Sequence, residues 1–469
     1  MLISPQPIAI QPIPIQPIPM QSTPLQLTPA QLIPLHGIGT RHDLPLPFSF
    51  VVVGAAAALV LSFVILFFAW RTPRFLTPGG TTLASLTRLV DAAGFRWTLR
   101  GLLLAAFIWA GLGLFAGVDQ LTNPVFGFVY VWMWVGLVPL SILFGPFWRA
   151  LNPIRTLHRG LAAVARVDYR HGLLDLGDRV GVWTAALGLF GFAWLELIEP
   201  DRTSLAVVRV WALVWLVTLI IGAVIFGETW IGAADPFEAY ATSVAQISPW
   251  RRVDGELRLV DPLAGLTSWN PPPGSAAVVA TLLGSTAYDS FTNNSWWIQT
   301  VQNSDISSLL WGTGGLLTMI AIVMITFAAA AAWMHRYRRD RQLSAGDFPR
   351  LMAGSVVPIV VGYAIAHYFT LLVVEGQRTA INWSDPMGLG WNVFGSAHMG
   401  VNQSVFNHPT AIALVQVVAI VGGHLVGIVA AHEKSLQLVT PRHALAAQVP
   451  MLAVMVFYTC SGLLLLFSP

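Results

Sequence analysis

The sequence predicts an all-α protein, a polytopic integral membrane bundle of about ten transmembrane helices with both termini outside. Three observations predict it. Of 469 residues, 55% are apolar and 10% charged, and the mean hydropathy is +0.67, far from the averages of soluble domains. The apolar residues gather in windows of about 20, the length that crosses a hydrocarbon core. Finally, 21 of the 25 Lys and Arg residues fall in five of the gaps between those windows while the alternate gaps hold almost none, which is the positive-inside pattern of a bacterial inner-membrane protein.

In chain order, residues 1–35 come first. Gln recurs at 6, 11, 16, 21, 26 and 31, and Pro is fourth in every pentad but the first. Prolines at that density exclude a helix and predict extended, polyproline-like, disordered chain. No short apolar region with a small-residue cleavage site follows, so the segment does not read as a signal peptide. Residues 36–469 form the membrane domain. Nine windows are apolar enough to span: 48–70, 98–117, 124–148, 180–198, 205–226, 309–334, 351–374, 410–432 and 443–467. A tenth, Ser275 to Phe291, reaches only about 25 Å as a helix, which leaves a short span and a re-entrant helix equally open on hydropathy.

Charge decides between them. Arginines crowd the gaps after the first window, the third window and window 309–334, and Arg251, Arg252 and Arg258 place 227–274 on the same side. Residues 293–308 hold no Lys or Arg, so the chain crosses at 275–291. Lys434 and Arg442 close the last cytoplasmic loop. The net charge of +3 is thereby explained by span ends, and no basic run carries the aromatic spacing of a nucleic-acid module. The single cysteine, Cys460, excludes an intrachain disulfide and a Cys-based zinc site. Gly423 and Gly427 predict close helix contact in the ninth of these spans by sequence spacing.

Ionisable groups inside a membrane are costly enough that each is a functional hypothesis. They converge on the outer half. Glu196 and Glu199 end one window and Arg209 begins the next, which predicts a structural ion pair between adjacent helices. Asp289 and His367, with Tyr288 and Tyr363 nearby, have no such partner in sequence, and they are the candidate catalytic residues. An imidazole and a carboxylate facing one cavity can hold a divalent metal and acidify its water, or relay protons. His36 and His42, in a Gly-containing turn before the first window, are further candidate metal ligands, and Glu375 and Asp385 are possible oxygen donors. His424 is a candidate relay residue in the ninth span. Phosphate-binding loops, the Gly-x-Ser-x-Gly elbow, His-Glu-x-x-His and dinucleotide fingerprints are absent from the sequence.

Several short stretches stand out: Trp148-Arg149-Ala150-Leu151-Asn152-Pro153 and Ala234-Asp235-Pro236-Phe237-Glu238, both expected as turns at the inner face; Leu283-Gly284-Ser285-Thr286-Ala287-Tyr288-Asp289; Ala366-His367-Tyr368; Ser384-Asp385-Pro386-Met387-Gly388-Leu389-Gly390-Trp391; Gly423-His424; and Ala431-His432-Glu433. With these, the chain from about His36 to Pro469 resembles bacterial multi-span membrane proteins of the fenitrothion hydrolase type. The resemblance implies hydrolysis of an organophosphorus triester with release of a nitrophenol from a dialkyl phosphorothioate. It carries an activity and no site residues. A nitrophenolate leaves with little help, so the nucleophile is the demanding part, and a metal-bound hydroxide would supply it. A small hydrophobic substrate of this kind partitions into the lipid bilayer, which suits a site at the outer hydrocarbon boundary. The competing expectations are a transporter or permease, whose intramembrane His and carboxylates bind protons or a metal ion in transit, and a non-catalytic membrane subunit that needs a partner.

Overall fold

The structure, a computed structural model, describes residues 40–76, 79–177 and 179–467. The pentad repeat and His36 lie outside the described residues. Each of the ten windows holds a helix. The first two are α1 (Phe48–Ala69) and α2 (Ala93–Ala116). The third window is a broken pair, α3 (Pro124–Met133) and α4 (Leu137–Phe144), bent by 47°. Asn123 starts it, its side chain accepting from the Val125 amide with Pro124 in the first helical position. The break has two causes in sequence: Phe128–Met133 winds as a wide π-type turn, and Pro139 has no N–H to continue the ladder.

After α5 (Pro153–Ala165) come α6 (Trp183–Leu197), α7 (Leu205–Phe226), α8 (Glu228–Ala234) and α9 (Pro236–Val244). The remainder is α10 (Ser275–Thr292), α11 (Ser308–Trp333), α12 (Val357–Asn382), α13 (Pro409–Leu438) and α14 (Ala444–Leu466). Among the described residues seven helices are long and apolar enough to cross a membrane, or eight with the bent pair as one span. The two windows that fall short are α6, with 15 residues, and α10, with 18. α10 is apolar only in part because protein surrounds it. Fourteen of its residues are buried, against α6, α9, α11, α12 and α14. Gly284 lets α11 close in, since a Cβ there would sit 2.7 Å from the Ile320 Cα. The all-α bundle carries one small antiparallel sheet in the order β1 (Thr81–Thr82), β3 (Glu256–Leu259), β2 (Trp250–Val253).

Hydrogen bonds sort the connections into two groups. Glu433 accepts from Trp70 and from the amides of Arg74 and Phe75. Lys434 donates to the carbonyls of Thr267 and Trp269, Arg350 to Pro271, Arg339 to Leu436, and Arg100 to Ala150. All five Arg-rich segments are thus tied together at one end of the bundle. At the other, Asp119 accepts from the Leu205 amide, Tyr130 donates to the Arg202 carbonyl, and Asn382 to that of Thr122.

The two Asx-Pro turns at the Arg-rich end form one buried network. Asp235 caps α9 through the Phe237 amide and accepts from Asn152, Trp148 and Trp215. Asn152 caps α5 and also donates to Glu238. Arg155 grips Glu238 at 2.7 and 2.6 Å and Glu228 at 2.9 Å. Burial, aided by the neighbouring Glu238 carboxylate, pushes the Asp235 carboxyl up to about 6. At the α12–α13 crossing the expected close contact is present: a Cβ on Gly423 would lie 2.5 Å from the Pro358 carbonyl oxygen, and one on Gly427 2.9 Å from that of Ser355.

Candidate functional site

Asp289 occupies the last turn of α10 and His367 the middle of α12, two helices in direct contact. Their side chains meet, with His367 Nε2 2.8 Å from Asp289 Oδ2. Both are buried, 1% and 5% exposed respectively. Tyr368 donates to the same carboxylate oxygen at 3.0 Å. On the far side of the imidazole, Nδ1 lies 3.1 Å from Ser290 Oγ, and Tyr363 donates to that Oγ at 2.9 Å.

These contacts fix directions. An ionised Asp289 only accepts, so the neutral imidazole carries its proton on Nε2, and Nδ1 then accepts from Ser290, whose Oγ receives the Tyr363 hydroxyl hydrogen. The chain Tyr363, Ser290, His367, Asp289 therefore donates one way throughout, and Tyr368 donates into its end. Helical spacing makes this possible: Tyr363 precedes His367 by four residues, so the two rings share a face of α12, stacked at an interplanar angle of 7°.

The sequence expectations fare unequally. Asp289 and His367 come together. Tyr288 faces α11 instead, against Trp297 and below Gly312 and Gly315. His42 is exposed in a short helical turn, and it does not join the pair. Glu375 pairs with Arg378, and Asp385 accepts from the amides of Leu389 and Gly390. His424 Nδ1 donates to the Ile420 carbonyl of its own helix, 2.8 Å away. The expected ion pair of Glu196 and Glu199 with Arg209 is corrected: the Arg209 guanidinium donates at 2.6 Å to the Leu114 carbonyl, and no Glu196 or Glu199 ion pair with it occurs among the described residues. The last turn of α2 offers carbonyls that no helical N–H reaches, and a guanidinium satisfies them well.

For a divalent metal, Asp289 and His367 supply two donors, whereas a catalytic zinc takes three from protein. Among the described residues no third His, Cys, Asp or Glu completes a set.

Ser290 and Tyr368 were not among the sequence candidates. Each directly follows a residue that was, and the only signal for them is that adjacency. Whether a neighbour one residue on shares the site depends on the helix crossing, which the sequence does not specify. No family model matches the chain, and comparison with curated proteins and with solved structures finds no similar one.

Proposed function

We propose that the chain is a bacterial inner-membrane protein of ten crossings, both termini outside, that takes up and passes on a proton at Asp289 and His367, as a proton-coupled transporter does. The single observation that carries this reading is the enclosed, one-directional hydrogen-bonded chain from Tyr363 to Asp289. Concerted shift of each hydrogen along it, as Tyr363 takes a proton from its entry side, delivers a proton to the carboxylate and moves the imidazole proton from Nε2 to Nδ1; return of the imidazole proton to Nε2 readies the chain for the next transfer. A buried ionisable pair in a bundle is costly to keep and is the usual mark of a proton relay. The test uses proteoliposomes loaded with a pH-sensitive dye under a potassium diffusion potential, negative inside. Uptake faster than in protein-free liposomes, removed by Asp289→Asn, is expected. Wild-type uptake equal to that of empty liposomes overturns the reading.

A second reading rests on a specific observation in the same place. Ser290, His367 and Asp289 have the connectivity of a nucleophile, its base and the base's orienting acid. On this reading the protein is a membrane-bound organophosphorus triester hydrolase. Ser290 Oγ bonds to phosphorus, its proton passes to His367 Nδ1, and the nitrophenolate departs. The imidazolium gives that proton up with the departing nitrophenol, and the neutral histidine then takes a proton from water as its oxygen bonds to phosphorus and returns it to Ser290 Oγ as the serine–phosphorus bond breaks, freeing the dialkyl phosphorothioate. Backbone amides inside a helix are committed, so the donor nearest the reacting atoms is Tyr363, which turns from Ser290 Oγ to the thiophosphoryl group as that oxygen bonds to phosphorus. Nitrophenol release by protein in detergent, lost in Ser290→Ala and unchanged by chelator, supports this account. No release by the wild type removes it.

A further inference from the structure

The relay ends on Asp289, and a proton that arrives there needs somewhere to go. Across the contact of α6 with α10 stands Glu196, the residue released from the expected ion pair. Its Oε2 is enclosed and has no hydrogen-bond partner. Every other acid near a helix end described above has donors: three for Glu433, four for Asp235. A carboxylate oxygen so enclosed carries the full cost of desolvation unless it holds a proton.

The titratable groups that act on Glu196 come from four other helices and the turn after α6. Asp289 of α10 is within electrostatic reach. The phenols of Tyr130, Tyr240 and Tyr368, from α3, α9 and α12, are within reach as well. Arg202, in the turn after α6, is the one cation among them; the Arg209 guanidinium is engaged at Leu114. Tyr368 is bonded to Asp289 at 3.0 Å and is also within electrostatic reach of Glu196. Tyr130 lies toward the bundle end, its hydroxyl on the Arg202 carbonyl at 2.7 Å.

We propose that Glu196 is the next proton carrier, so that it and Asp289 hold one proton between them. Two carboxylates in mutual reach in a low dielectric do not both ionise, and they titrate as a pair. With Asp289 ionised and bonded to His367 and Tyr368, Glu196 is the neutral acid. When Glu196 loses its proton toward the Tyr130 and Arg202 end, Asp289 passes on the one that it received from His367, and the imidazole is refilled through Ser290. One proton enters and one leaves.

This inference rests on the proton-transfer reading, and the experiment separates the two. Infrared spectra of the full-length protein in lipid, with glutamate carboxyls labelled with carbon-13, show at neutral pH a protonated-carboxyl band that shifts with the label. Glu196→Gln removes that band, and Glu196→Asp restores a protonated carboxyl that no longer shifts. Liposome proton uptake falls about a hundredfold in Glu196→Gln, the scale of losing one transfer group, and recovers in part in Glu196→Asp. A band unaffected by Glu196→Gln, or uptake unchanged in that variant, overturns the role of Glu196. Uptake that is absent in the wild type, or that survives Asp289→Asn, instead overturns the parent reading.

Discussion

Replacing Arg155 by methionine removes the cation that holds buried Glu238 and half-buried Glu228, and the contacts set the size of the loss. The guanidinium holds Glu238 through two hydrogen bonds at 2.7 and 2.6 Å and Glu228 through one contact at 2.9 Å. Glu228 keeps Arg159 at 2.5 Å. One carboxylate is therefore stranded, not two. Glu238 retains Asn152 at 3.1 Å and Arg149 at 3.8 Å, and the Arg149 side chain is largely exposed. Breaking one partner out of a buried pair costs about 3–5 kcal/mol, and these remaining contacts place the loss at the lower bound, about 3 kcal/mol. At 1.4 kcal/mol per factor of ten, that shifts the folding equilibrium roughly a hundredfold. Reversible unfolding in mixed micelles of rising SDS fraction reads it directly. The double variant Arg155→Met with Glu238→Leu removes both partners and recovers most of the loss, because an apolar pair of similar volume replaces a buried ion pair at little cost. A single variant within about 0.5 kcal/mol of wild type, the range of an ordinary surface change, or a double variant no better than the single, refutes the reasoning.

Asp289→Asn keeps the fold while ending proton uptake: His367 and Tyr368 both bond to Oδ2, so one amide oxygen accepts both, and stability in the same micelles changes by about 1 kcal/mol or less. Gly423→Ala forces a methyl against the Pro358 carbonyl and costs about 1–3 kcal/mol, whereas Gly422→Ala, with nothing within 4 Å of the added carbon, is silent in that assay. The Asp235 carboxyl, raised by burial to about 6 from 3.8, binds its proton more tightly folded than unfolded. Its contribution to stability is thus full below about pH 3.8 and is lost as pH rises through 6, about 3 kcal/mol in all. The pH slope of unfolding between these values is shallower in Asp235→Asn, although that variant is less stable throughout because its amide nitrogen opposes either the Trp148 and Asn152 donors or those of Trp215 and the Phe237 amide.

Much of the bundle was legible because lipid imposes a crude code. Length and apolarity located all ten helices, and Arg placement grouped the five connections that the hydrogen bonds of Glu433, Lys434 and Arg350 tie together. The helix termini were also readable where chemistry is local, as at Asn152-Pro153 and Asp235-Pro236, though not that these two turns grip each other through Arg155 and Glu238. For the site, scarcity served as the signal: Asp289 and His367 were conspicuous as ionisable residues in apolar surroundings. Scarcity misled at Arg209, where chain proximity to Glu196 and Glu199 suggested a pair and a helix-end carbonyl won instead. Ser290 and Tyr368 did not stand out beyond their adjacency to Asp289 and His367, because hydroxyl groups are common in such helices and cheap to bury once bonded.

The encasement of α10 reaches back to biosynthesis. A segment with so many small and hydroxyl-bearing residues has little of its own to gain from hydrocarbon, and its permanent neighbours α11, α12 and α14 are made after it. As the nascent chain emerges, this stretch must wait at the membrane surface or beside earlier helices until those later ones arrive to enclose it. Enclosure of α10 is then an act of assembly, and the acid it carries meets its histidine only once α12 has been made.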